Sequence, residues 1–242
     1  KMQNPISQPD HWGEDRLTEH LRNAYQNRLA TFANKKTEFG KLIAIDACFG
    51  RVREGLINPK QPLSALLFLR TFASYRSVCE AAAAGELPET FGLVRACLEC
   101  AGYALHIARV PNAGTVWLNR HDDAAALRAA KDMFTVAAVK ATIRSANNKA
   151  ADIFEHLYGT AIDNGGHPNE RAVTGNMTLV EGAGRIEMQH TFLHGDGVQL
   201  DYALITAART GICALVILKE IFPERFDLLG VSDEILKLRR GL

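Results

Sequence analysis

The chain has 242 residues, enough to bury a substantial core, and its 47% hydrophobic content is that of an ordinary globular protein. Lys+Arg 28 against Asp+Glu 27 leaves a formal net charge of +1, which excludes a global basic field for holding nucleic acid through its phosphates. Five cysteines, an odd number spread through helical patterns, speak against a secreted disulfide framework and favour free thiols in a reducing compartment, the cytoplasm.

Residues 1–12 are polar, carry Pro5 and Pro9 and lack an apolar signal core, so they read as a flexible lead-in to one helical domain over 13–242. Glu14 to Phe39 repeats Leu17, Leu21, Tyr25, Leu29 and Phe32 at helical spacing, which predicts an amphipathic surface helix broken at Gly40. Lys41 to Ile57 resumes the pattern until Asn58-Pro59. Pro62 suits the first turn of a third helix, Leu63 to Ala84, with Gly85 just beyond its end.

The fourth predicted helix, Pro88 to Arg109, is the most informative stretch. At about 100° per residue, Arg95, Glu99, Gly102, Tyr103 and His106 share one narrow sector of an otherwise apolar cylinder. Two readings of this seam stand side by side. It is a solvated face whose Arg95/Glu99 pair contributes only about 0.2 to 0.5 kcal/mol, or it is a polar site. Gly92 and Gly102, poor helix formers, point to a close approach of another backbone or a ligand. Cys97-Leu-Glu-Cys100 matches a CxxC pattern, but it lies in mid-helix without a second ligand pair, which marks core cysteines.

A connector, Ala113 to His121, holds Trp117, Asn119 and Arg120. Asp122 or Asp123 then caps a long alanine-rich helix running to about Ser145, followed by a shorter helix over Lys149 to Ile162. Asp163-Asn-Gly-Gly-His167-Pro-Asn-Glu170 is either a plain chain-reversing turn or a functional loop. His167 could serve there as general acid or base if Glu99, Asp163 or Glu170 oriented it.

Val173 to Val180 and Arg185 to Leu193 alternate apolar and polar residues around the glycine-rich turn Glu181 to Gly184, predicting a β-hairpin within 172–194. Such a hairpin covers a groove or acts as a dimerisation arm, because its edges need partners. His190 and His194, with Asp196 beyond them, would lie about 13 Å apart along a strand, too far to share an ion directly. No metal and no cofactor is expected. Gln199 to Phe222 is a strongly apolar helix whose Arg209 needs a carboxylate, with Glu99 and Asp163 as possible partners. Its apolar run, Ala203 to Leu218, is interrupted by Arg209 and falls short of about 20 residues, so no membrane span is expected. Asp233 to Arg240 makes a terminal helix. Phosphate-loop, dinucleotide and nucleophile-elbow motifs are absent from the sequence.

The elements predict an all-α multi-helix bundle with a small β-hairpin insertion. With the Arg95-to-Glu99 helix and the Tyr158/Asp163/His167-Pro168 segment in place, the chain resembles uncharacterised bacterial all-helical proteins and, more distantly, HEPN-like helical domains. The resemblance covers roughly Pro62 to Pro168. It implies a homodimer, and in ribonuclease members of the group an Arg and a His four to six positions later on a helix form a composite site. The match to that spacing here, Arg185 to His190, falls on a predicted strand and departs from the family pattern. Members lacking the motif serve as binding modules.

The expected function is therefore a binding or assembly protein with a polar groove between the fourth helix and the His167 loop. Its ligand-binding candidates are Arg95, Glu99, Tyr103, His106, Asp163 and His167. Its partners are a second copy of the chain and an unidentified small molecule or protein, with RNA disfavoured by the net charge and no membrane. The alternative is a metal-independent ribonuclease-like or other hydrolytic enzyme using His167 or His190 with Arg95 and Glu99 as catalytic candidates.

Overall fold

The structure, a computed structural model, describes residues 8–168, 170–182 and 185–242, with Arg185 described by its backbone alone. Among these residues the chain forms twelve α-helices and one antiparallel two-stranded hairpin, the all-α bundle with a small β insertion that the periodicity predicts. Of the expected lead-in over 1–12, residues 1–7 lie outside the described residues, and Gln8 Nε2 donates to the Trp12 carbonyl at 3.0 Å.

Helix α1 (Arg16–Asn34) is capped by Asp15, whose carboxylate accepts from the amides of Leu17 and Thr18. The chain then bends at Lys35 and continues as α2 (Lys36–Gly55), so the break lies five residues before the predicted Gly40. Tertiary pairing sets it. Lys35 Nζ reaches Asp196 at 2.6 Å and Asp201 at 2.7 Å, and Phe32 packs edge-on to Phe39 across the bend.

A second departure concerns which face of α1 is buried. Ala24 and Thr31 turn inward, Asn27 Nδ2 donates to the Ala84 carbonyl, and the apolar row Leu17, Leu21, Tyr25, Leu29 and Phe32 faces outward, exposed. Small and polar side chains let α1 lie close against α3 (Pro62–Ala84). α3 starts on Pro62 and ends at Gly85 in the left-handed region, φ 79°.

Helix α4 (Leu87–Arg109) occupies the centre, packed by α3, by α7 (Val136–Ala146) and α8 (Asn148–Ala161), and by α10 (Val198–Lys219). Both α4 and α10 are long and apolar enough to cross a membrane, which the sequence reading did not credit. Much of that apolar surface is packed inside the protein: the most apolar window of α10 is 72% buried and that of α4 50%. Phe49, Phe68, Phe72 and Tyr75 join α2 to α3 in the same core, with Phe49 and Phe72 stacked at 5.2 Å.

The connector after α4 contains a short helix, α5 (Ala113–Leu118). The predicted long alanine-rich helix is two, α6 (Ala124–Met133) and α7 (Val136–Ala146). Between them Phe134 turns into the protein against Tyr103 and His106, and Thr135 caps α7 by accepting from the Ala138 amide at 3.2 Å. α8 (Asn148–Ala161) runs on into a π turn, Ile162–Gly166.

After α9 (Glu170–Thr174), strands β1 (Met177–Gly182) and β2 (Arg185–His190) pair with Leu179 opposite Met188, while residues 183 and 184 of the expected turn lie outside the described residues. Among the described residues the hairpin covers no groove: Leu179, Ile186 and Met188 share one face, and all three are exposed. It is fastened at its base. The Thr191 amide donates to the Asn176 carbonyl at 2.8 Å, His194 Nε2 lies 2.7 Å from Asn176 Oδ1, and the His194 amide donates to the Gly85 carbonyl at 2.9 Å. Two short helices, α11 (Pro223–Leu228) and α12 (Val231–Leu238), close the chain against α2.

Candidate functional site

The α4 seam is covered along its length by a succession of different elements. At its N-terminal end the π turn seats directly on the helix. A Cβ added to Gly165 would lie 2.8 Å from the Cα and carbonyl carbon of Pro88, and the carbonyl oxygen would be closer still. Gly92 faces the Gly165 carbonyl, but a Cβ there would lie 3.9 Å from its oxygen, an ordinary contact, so the approach requires glycine at 165 and not at 92. Gly102 is packed by the side chains of Val139, Ile143 and Phe154. The groove expected between α4 and the His167 loop is thus closed by backbone contact.

One turn further along, Arg95 Nε donates to Glu99 Oε1 at 2.9 Å and its Nη1 donates to the Gly166 carbonyl at 3.2 Å. Tyr158 of α8 donates its hydroxyl to the same Glu99 oxygen at 2.7 Å, and the Arg95 guanidinium lies 5.6 Å from the Tyr158 ring centre. Burial and the Glu99 hydrogen bond push the Tyr158 phenol up to about 12, so it stays a donor. The ion pair is about one-third exposed on each side, and solvent screening limits it to about 0.3–0.5 kcal/mol. Its consequence is geometric: one Glu99 carboxylate oxygen is held by both Arg95 and Tyr158.

The remaining seam residues diverge. Tyr103 is half-buried and donates to the Phe134 carbonyl at 3.3 Å. His106 is buried, its Nδ1 lies 2.8 Å from Thr142 Oγ1, and burial pushes its pKa below the ordinary value. Asp163 and His167 are exposed on the π turn and just after it, and Asn169 of that loop lies outside the described residues. The structure therefore brings together Arg95 and Glu99 and adds Tyr158 to them, with the carbonyl of Gly166, the residue before His167, bonded to Arg95, while His106 is engaged by Thr142.

The other motifs are accounted for locally. Cys97 is in the core, with its thiol directed at the Thr71 carbonyl, and Cys100 is half-buried; burial pushes both thiols up. His190 packs on Phe192, His194 is engaged by Asn176, and Asp196 is held by Lys35. Among the described residues no group of three or more His, Cys, Asp or Glu is placed to hold a metal ion. Arg209 meets neither Glu99 nor Asp163. It lines a cavity of about 440 Å³ with Asp152, His156 and Arg239.

A larger space opens beside Glu99 and Tyr103, between α3, α4 and α5. This cleft measures about 550 Å³, with Leu63 and Leu66 on one wall and Trp117 and Leu118 on another. A neighbouring recess of about 290 Å³ shares Tyr103, Trp117 and Arg120 with it. Sequence reasoning missed Arg70, Trp117 and Arg120 as site residues. The signal for Trp117 and Arg120 was a tryptophan and an arginine in the short connector after an apolar helix, and Arg70 on α3 carried none. The chain matches no family model, no curated protein and no solved structure.

Proposed function

We propose that this chain is a non-catalytic assembly protein that works as a homodimer, in a reducing, cytoplasmic setting suited to its five unpaired cysteines. The observation that carries the reading is the outward row on α1. Five large apolar side chains at spacings of four and three residues occupy the face of a 19-residue helix that is left exposed among the described residues. A row of i+4 residues is a ridge that interdigitates with its own copy at a crossing angle of about −50°. A two-fold pairing of that kind is self-complementary and closes.

The resemblance to HEPN-like domains, whose members lacking the Arg–His motif are binding modules, agrees with this reading. The ribonuclease-like alternative requires His167 or His190 beside Arg95 and Glu99. In this fold Arg95 and Glu99 are engaged with each other, Tyr158 and the π turn, while His190 packs on Phe192.

The test is the mass in solution by light scattering on a sizing column, for the wild type and for the double variant Leu21→Glu/Leu29→Glu. The expected result is twice 26.6 kDa for the wild type and a folded monomer for the variant. A monomeric wild type, or a variant that keeps the dimer mass, would refute the assignment.

A further inference from the structure

We infer that the cleft between α3, α4 and α5 is a binding site for an amphipathic carboxylate, a small molecule with an apolar body and one anionic head. Its walls are apolar, and two of their side chains are exposed to a degree that an occupied cleft would end: Leu66 at 62% and Leu118 at 61%. Its volume of about 550 Å³ falls within the common range for small-molecule sites, roughly 300 to 1,000 Å³.

The polar groups of the site are biased toward donors. Arg70, Glu99 and Arg120 line the cleft, and Lys131 lines the recess that continues it. Glu99 is already paired with Arg95 and bonded by Tyr158. No ion pair engages Arg70, Arg120 or Lys131 among the described residues. Two buried N–H groups that belong to residues of this lining, Trp117 Nε1 and Arg120 Nε, have no hydrogen-bond acceptor among the described residues. A buried donor without an acceptor costs about 1–3 kcal/mol, and the group that relieves two such donors beside a guanidinium is an anionic oxygen. The head is therefore placed at Arg120 and Trp117, with Arg70 across the cleft and the apolar body along Leu63, Leu66 and Leu118.

This site is separate from the α1 row, so it stands or falls independently of the dimer. The experiment uses the full chain and titrates decanoate, and in parallel decan-1-ol, while following tryptophan emission. Trp12 and Trp117 are the two tryptophans of the sequence, so a Trp12→Phe background makes Trp117 the reporter. The expected result is a saturable change with decanoate below its micelle concentration, and binding of decanol weaker by about tenfold. Arg120→Met, which keeps the aliphatic stem, should weaken decanoate by about tenfold and leave decanol unchanged. Arg70→Met should act in the same direction. Absence of a saturable change, equal affinity for decanoate and decanol, or undiminished decanoate binding by both arginine variants would each overturn the assignment. The decanoate-to-decanol comparison on the unmodified cleft decides the matter even if an arginine variant does not fold.

Discussion

Replacing Gly165 by Ala tests how the π turn is seated on α4. The added Cβ would lie 2.8 Å from the Cα and carbonyl carbon of Pro88, where ordinary carbon contacts sit at about 3.5–4.0 Å. Both atoms are backbone in the first turn of a helix, so no side-chain rotation relieves the clash, and the π turn must lift by about 1 Å. Overpacking of this kind costs about 1–3 kcal/mol. Lifting also stretches the Arg95 bond to the Gly166 carbonyl, a charged-donor bond of about 1.5–3 kcal/mol when buried and less here because Arg95 is partly exposed. Ala gains back about 0.4–1 kcal/mol by restricting the unfolded chain. The net expectation is a loss of about 2–3 kcal/mol, or roughly 4–12 °C in thermal midpoint for a chain of this size. Gly159 is the matched control, helical and with nothing within 4 Å of an added Cβ, so Gly159→Ala should stabilise by about 0.5–1 kcal/mol. Urea denaturation followed by far-UV circular dichroism reads both. A Gly165→Ala midpoint equal to or above that of Gly159→Ala would refute the argument.

Two further predictions concern pH. Lys35 holds Asp196 below the ordinary aspartate value of 3.8, and its two carboxylate partners raise Lys35 above the ordinary lysine value of 10.5. The aspartate contribution is present above pH 3.8 and lost as pH falls through its folded value; the lysine contribution is present below pH 10.5 and lost as pH rises through its folded value. The thermal-midpoint gap between wild type and Lys35→Met should be widest between those limits and narrow at both ends, and a pH-independent gap would contradict the pairing. Burial holds His106 below its ordinary value of 6.5, so the unfolded chain takes up a proton that the fold resists, and stability falls as pH drops from 7 toward 5. His106→Phe should flatten that slope, leaving the share due to His194, which burial also lowers; an unchanged slope would count against a neutral His106.

The period of the apolar residues made the helices legible, because a helix that must bury one face repeats at 3.6 whatever it packs against. The same signal could not say what covers the face. The α1 row has the periodicity of a buried stripe, yet this protomer packs the helix through Ala24, Asn27 and Thr31. Lys35 rather than Gly40 sets the first bend because its partners, Asp196 and Asp201, lie more than 160 residues away, a pairing that local propensity cannot encode. The Arg95–Glu99 pair was readable as an i,i+4 neighbour relation. Its third member, Tyr158, comes from another helix, and the cleft lining comes from three elements whose approach is set by packing.

The clamp formed by Asn176, Thr191, His194 and the Gly85 carbonyl makes the hairpin a cantilever. The His194 amide ties its base to Gly85, at the corner between α3 and α4. Since the two ends are already joined at that point, the chain between them adds little closure entropy as it lengthens. Residues added in matched pairs, two on each strand, keep Leu179 and Met188 on the same face, whereas a one-residue slip would invert it. The arm's reach can therefore be tuned in steps of about 7 Å while the bundle that carries it stays as it is.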